Sequence, residues 1–278
     1  MSRLLLVAVL FSSLALPSVA AAQSGGVGLR PMRLEMEMPP GQERTMSFTI
    51  ESPPAEHAVR GRLLLTLGDW QLAEDTSVSY HDPGSQPNSA ASWLVLSSGD
   101  VTIASGQQRL VRVTARVPEG TKPGVYTSSI FVQERPPAEA PVVGDQRFYF
   151  RFRYVVTVYI IVTPVSPQGE LADARLLNAP EGTQRLAARL TNVGTRHLRP
   201  TISWFIRSRE RDILGVPNVE GTVLLPGMSL AETLSLPEAL PPGEYELEVQ
   251  VDFHDGRSMQ AVQRTVVVPD SVVAGTGD

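Results

Sequence analysis

The chain has 278 residues, a formal net charge of −5 at pH 7 and no cysteine. Without thiols it can hold no disulfide framework, thiolate metal site or cysteine nucleophile, and its mild acidity carries no electrostatic footprint for nucleic acid. Beyond Gln23 no apolar run reaches the ~18 uncharged residues that a membrane span needs.

Residues 1–22 read as a secretory signal peptide. Arg3 precedes an apolar run from Leu4 to Leu16, then come Pro17 and the small residues Ala20-Ala21-Ala22 before Gln23. The apolar core is too short to cross a bilayer. The expectation is export, removal of residues 1–22 and residence in the periplasm, with secretion or the cell surface as the alternative.

The rest is punctuated by Pro and Gly at intervals of roughly ten residues, with short β-rich runs between, which is the pattern of an all-β sandwich. In chain order, the predicted strands are Leu29–Met38, Arg44–Glu51, Val59–Leu72, Val78–His81, Trp93–Leu96, Val101–Ile103, Arg109–Val117 and Tyr126–Gln133. A Pro-rich loop, Glu134–Gln146, leads to the longest run, Arg147–Pro164. There Phe148, Phe150, Phe152, Tyr154, Val156, Val158, Ile160 and Val162 share one parity and give one continuously apolar face. Arg147, Tyr149, Arg151 and Arg153 begin the opposite face, which turns apolar towards Ile161. The spacing predicts a strand covered on one side in its first half and on both in its second.

Thr163–Gly169 reads as a short, stiff linker. Beyond it, strands are predicted at Leu171–Asn178, Leu186–Thr191, Pro200–Arg207, Gly221–Leu225, Ser229–Leu236, Tyr245–Phe253 and Ser258–Val268, with a tight Asp-Gly hairpin at His254–Arg257. Residues 270–278 read as a disordered polar tail. Pro118-Glu119 followed by Pro123-Gly124-Val125-Tyr126 is echoed at identical spacing by Pro237-Glu238 and Pro242-Gly243-Glu244-Tyr245. Such a corner turns the chain and lets the tyrosine bury its ring while its hydroxyl reaches backbone. The echo predicts two tandem immunoglobulin-like β-sandwiches, over residues 23–164 and 165–269.

Three stretches carry a family resemblance: Gly26-Val27-Gly28-Leu29-Arg30-Pro31-Met32-Arg33-Leu34-Glu35, Trp93 through Pro118, and Pro123-Gly124-Val125-Tyr126 into the following strand. Over about residues 28–164 they resemble the first domain of PapD-like periplasmic chaperones and their envelope relatives. The resemblance implies a chaperone-like protein that binds a β-rich envelope or surface-fibre component, as in pilus assembly, by strand pairing along a sheet edge. By position that edge would be Phe148, Phe150, Phe152 and Tyr154. The family also clamps a partner's carboxylate between an Arg and a Lys. Arg33 matches the Arg, whereas the Lys position falls near Tyr159 and the Lys is missing; Arg153 is the nearest replacement, half a strand away. The competing expectation is a structural or adhesive envelope module of the same fold.

Catalysis has little to stand on. The sequence has no nucleophile elbow, zincin motif or phosphate loop, and His57, His81, His197 and His254 read as solvated loop residues. Asp252, His254 and Asp255 are explained by hairpin chemistry rather than by a metal. No cofactor and no small-molecule substrate is expected. Trp70, Trp93 and Trp204 read as core anchors.

Overall fold

The computed structural model describes residues 26–54, 61–135, 142–143, 146–147, 152–178, 183–209 and 212–269. The expected signal peptide and tail lie outside the described residues, as do Phe148, Phe150 and His57. What is described is all-β, two tandem immunoglobulin-like β-sandwiches.

The first sandwich contains β1 Gly28–Arg30, β2 Arg33–Met38, β3 Glu43–Glu51, β4 Gly61–Leu72, β5 Val78–His81, β6 Leu94–Leu96, β7 Asp100–Ile103, β8 Gln108–Arg116, β9 Gly124–Glu134, β10 Val142–Val143, β11 Gln146–Arg147 and β12 Arg153–Val162. One sheet runs β1-β3-β8-β6, and the other β2-β12-β9-β4-β5 with β7 also on β4. Alternate side chains of these strands meet in a core of Leu34, Met36, Met38, Phe48, Ile50, Ile130, Val132, Val111, Val113, Val156, Val158, Ile160 and Val162.

Two predicted strands change shape here. Leu29–Met38 was expected as one strand; it breaks at Pro31-Met32 and changes sheets, β1 pairing with β3 and β2 pairing with β12. Proline has no N–H for a ladder, so the break falls there. The switch also lets Leu29 and Leu34, which differ in parity, enter one core. The strand expected from Arg147 begins instead at Arg153, because Arg147 pairs with Val142 in a separate two-stranded hairpin.

The second sandwich contains β13 Gly169–Asn178, β14 Gln184–Asn192, β15 Thr201–Arg207, β16 Asp212–Glu220, β17 Ser229–Ser235, β18 Gly243–Asp252 and β19 Gln260–Val268. Its sheets run β13-β14-β17 and β16-β15-β18-β19 around Leu186, Leu190, Ile202, Trp204, Leu224, Leu247, Val249 and Val251. Residues 221–225, expected as a strand, make an isolated bridge, Leu198 with Leu224. The edge strand lies just before, in β16, where Gly215 and Pro217 read as breakers. Pro217 falls in a register shift between the Ile202 and Trp204 pairs, the place where an edge strand accommodates proline. The expected tight hairpin at His254–Arg257 is a wider loop, its last ladder pair being Val251 with Gln260. The buried Asp255 carboxylate accepts from the Gly169 N–H and from Arg257, so it ties the loop to the start of β13.

Both corners form as the repeat predicts. The Tyr126 hydroxyl donates to the Lys122 carbonyl at 3.0 Å, and that of Tyr245 to the Pro241 carbonyl at 2.8 Å. Gly124 and Gly243 take φ of 153° and 158°, a region that residues with a Cβ avoid.

Candidate protein-binding edge and the interdomain seam

β12 is the hub of the site. Along its whole length it pairs antiparallel with β9, from Arg153 opposite Gln133 to Val162 opposite Gly124. On its other side β2 runs parallel to it and covers Thr157–Val162. The Thr157 N–H, bonded to the Met32 carbonyl at 2.9 Å, closes that ladder. Upstream of this bond the chain has left for the other sheet as β1. Among the described residues no strand therefore pairs with the outer side of Arg153–Val156. Peptide groups alternate sides along a strand, so Arg153 and Val155 point their N–H and C=O the same way as Thr157, into this open lane.

The side chains flanking the lane have different fates. Phe152 is 48% exposed and faces the Tyr154 ring at 6.4 Å between centroids. Tyr154 is half-buried on the first core, and its hydroxyl accepts from the Val27 N–H at 3.2 Å. On the opposite face the Arg153 guanidinium lies over the Phe131 ring, 4.9 Å from its centroid. The Phe131 ring in turn lies across Gly68, where a Cβ would meet it at 2.3 Å, and meets Tyr80 edge-on at 5.4 Å. Tyr80, Phe131 and Arg153 line a depression of about 470 Å³.

Register continues this face across the sheet. Gly68, Ser129, Thr157 and Arg33 are successive partners in one row; Thr127, Tyr159 and Glu35 are partners in the next. The second row packs against the second sandwich. Tyr159 is 3% exposed, stacks on His197 at 4.8 Å, meets Trp70 edge-on at 5.7 Å and carries the Arg199 guanidinium over its ring at 5.2 Å. Trp70, Leu72, Val125 and Tyr159 thus belong to the second core cluster although they come from the first sandwich. Trp70 is an anchor of the seam, Trp204 of the second core, and Trp93 packs partly buried on Tyr126.

Glu35 is the ionic centre of the seam. Its Oε1 lies 3.2 Å from Arg33 Nε, 3.4 Å from His197 Nε2 and 3.3 Å from Arg199 Nη2. The His197 hydrogen bond and the charges of His197, Arg199 and Arg33 hold its carboxyl down at about 2, against the opposing effect of burial. Glu37 pairs with Arg196 at 2.7 Å. Burial pushes the Tyr159 phenol up. Among the described residues the buried side-chain polar atoms without a hydrogen-bond partner are Trp70 Nε1, Ser129 Oγ, His197 Nδ1 and Arg199 Nε. All four sit on this sheet face or in the segment packed on it.

His197 was expected to be a solvated loop residue. It is 7% exposed, because the loop after β14 folds down onto Tyr159. The signal missed was its spacing from Arg196 and Arg199, which brings three basic groups to the two glutamates of β2. His81, expected in a loop, ends β5 opposite Asp69 and is bonded to Ser79, while His254 stays in the loop after β18, bonded to Thr201. Thr201, His254 and Asp252 line up at 2.9 and 3.2 Å, but His254 and Asp252 are exposed and Asp252 also accepts the His254 N–H as an ordinary turn residue. Among the described residues no group of three or more His, Cys, Asp and Glu converges as a metal site.

Neither a family model nor a curated protein matches the chain in sequence. Solved structures of similar fold include the YadV chaperone, with 8% identity, TM-score 0.48, and coverage of 86% of this chain and 99% of that one. Another is the CsuC–CsuE chaperone–tip adhesion subunit pre-assembly complex of Acinetobacter baumannii, with 11% identity, TM-score 0.45, and coverage of 86% and 97%. A third is the Salmonella enterica SafA pilin in complex with the SafB chaperone, with 14% identity, TM-score 0.42, and coverage of 89% and 99%.

Proposed function

We propose that the protein is a non-enzymatic, chaperone-like component of the periplasm that binds a β-rich envelope or surface-fibre protein by pairing along the outer side of β12. One observation carries the reading: Arg153–Val156 is laddered to β9 on one side and to nothing described on the other. A free sheet edge is a template for another chain unless it is shielded. Main-chain pairing would supply affinity, and the half-exposed Phe152 beside Tyr154 would supply an apolar contact.

Val155→Pro tests this. The substitution removes an N–H that faces the lane and leaves the β9 ladder its own donors, and proline is tolerated on edges. With the unfolding midpoint unchanged, the variant should fail to co-purify from periplasmic extract the partner that wild type retains. Retention of the same partner by the folded variant would contradict the reading.

A second reading, a structural or adhesive module, is favoured by the state of Arg33. Its guanidinium is engaged by Glu35 at 3.2 Å, its partner across the ladder is Thr157, and the next row towards the seam holds Tyr159 rather than a second cation. Carboxylate capture at Arg33 would require breaking that pair. Partner binding insensitive to Arg33→Gln would fit an edge that works without such a clamp.

A further inference from the structure

The open lane has a charge as well as a shape. On the face of Arg153, Val155 and Thr157, Arg153 is exposed and makes no ion pair with any described residue, in contrast with Arg33, Arg62, Arg116 and Arg196. Its guanidinium is nonetheless held in place. Phe131 supports it from below, Gly68 gives that ring its bed, and Tyr80 closes the ring's edge. A guanidinium stacked on an aromatic face keeps its in-plane N–H groups free, in the fork geometry that matches a carboxylate. Asp82 and His81 line the same depression, yet Asp82 is not ion-paired with Arg153 and His81 is bonded to Ser79. On the other face of the strand the lane is bordered by Phe152 and Tyr154, which are apolar and aromatic.

Resting on the edge reading above, we infer that the lane takes an extended partner segment with an acidic side chain beside Arg153 and apolar side chains at the neighbouring positions. The acidic residue meets the preset guanidinium on the face that carries Phe131. The apolar ones extend the surface of Phe152 and Tyr154 on the opposite face. Cross-strand neighbours of opposite charge favour pairing and like charges oppose it, so the arrangement selects partner and register together.

The test uses short extended peptides of alternating Val and Thr that differ in a single central Glu, Gln or Lys, titrated against the full chain. At low salt the Glu peptide should bind tighter than the Lys peptide by on the order of ten-fold, with Gln between. The gap should shrink at high salt, vanish in Arg153→Gln and invert in Arg153→Glu. Equal affinities for Glu and Lys peptides, or a gap that survives Arg153→Gln, would overturn the charge assignment and leave the edge standing. Failure of all three peptides to bind, or binding that Val155→Pro leaves unchanged, would overturn the edge reading and this inference with it.

Discussion

At the scale of single residues, a few side chains hold more than their neighbourhood. The Tyr245 hydroxyl secures a corner by one bond to the Pro241 carbonyl. Tyr245→Phe keeps the ring and removes that bond, so the unfolding free energy should fall by about 0.5–1.5 kcal/mol; denaturant titration checks this. Gly68 matters for a different reason. A Cβ there meets the Phe131 ring at 2.3 Å and the His81 carbonyl at 3.0 Å. Gly68→Ala should therefore displace Phe131 from beneath Arg153, visible as a changed Phe131 ring environment by NMR, and destabilise the fold by about 1–3 kcal/mol. The tyrosine corners were legible in the sequence because a repeat at fixed spacing names both. Gly68 was not, since the ring that needs it comes from Phe131, far along the chain.

At the scale of elements, β12 decides the outcome. Its period-two pattern announced a strand whose Val156, Val158, Ile160 and Val162 enter a core, and they do. Pattern alone could not say where its neighbour stops. That depends on Pro31 and Met32, where the chain changes sheets and leaves Arg153–Val156 without a second partner among the described residues. For the same reason β16 went unseen: Gly215 and Pro217 look like breakers until the register shift that absorbs the proline is known. Of the aromatic stripe read from the sequence, Phe152 and Tyr154 do flank the open lane, and Phe148 and Phe150 lie outside the described residues.

At the scale of the molecule, the two sandwiches meet through Trp70 and Tyr159 and through Glu35 with its cations. None of this seam could be read from local pattern, because Glu35 looks like an ordinary solvent-facing strand residue and two of its partners, His197 and Arg199, come from the second sandwich. It has a pH signature. The folded carboxyl of Glu35 sits at about 2, below its ordinary 4.5. Its contribution is therefore fully present above pH 4.5 and is lost as the pH falls towards 2. The seam should lose about 1–3 kcal/mol over that window. Glu35→Gln should be less stable than wild type above the window, and the difference should close within it, as denaturant midpoints measured across pH will report. Constant separation of the two curves would mean that Glu35 titrates as an ordinary carboxyl.

The open lane itself is the premise on which partner, charge code and function rest, and amide hydrogen exchange on the free full-length chain reads it residue by residue. The N–H groups of Tyr154 and Val156 face β9 and should be protected, as should that of Thr157, bonded to Met32. Those of Arg153 and Val155 face the lane and should exchange fast, giving an alternating pattern that ends at Thr157. Uniform protection from Arg153 through Thr157 would mean that the lane is filled, and would contradict the account.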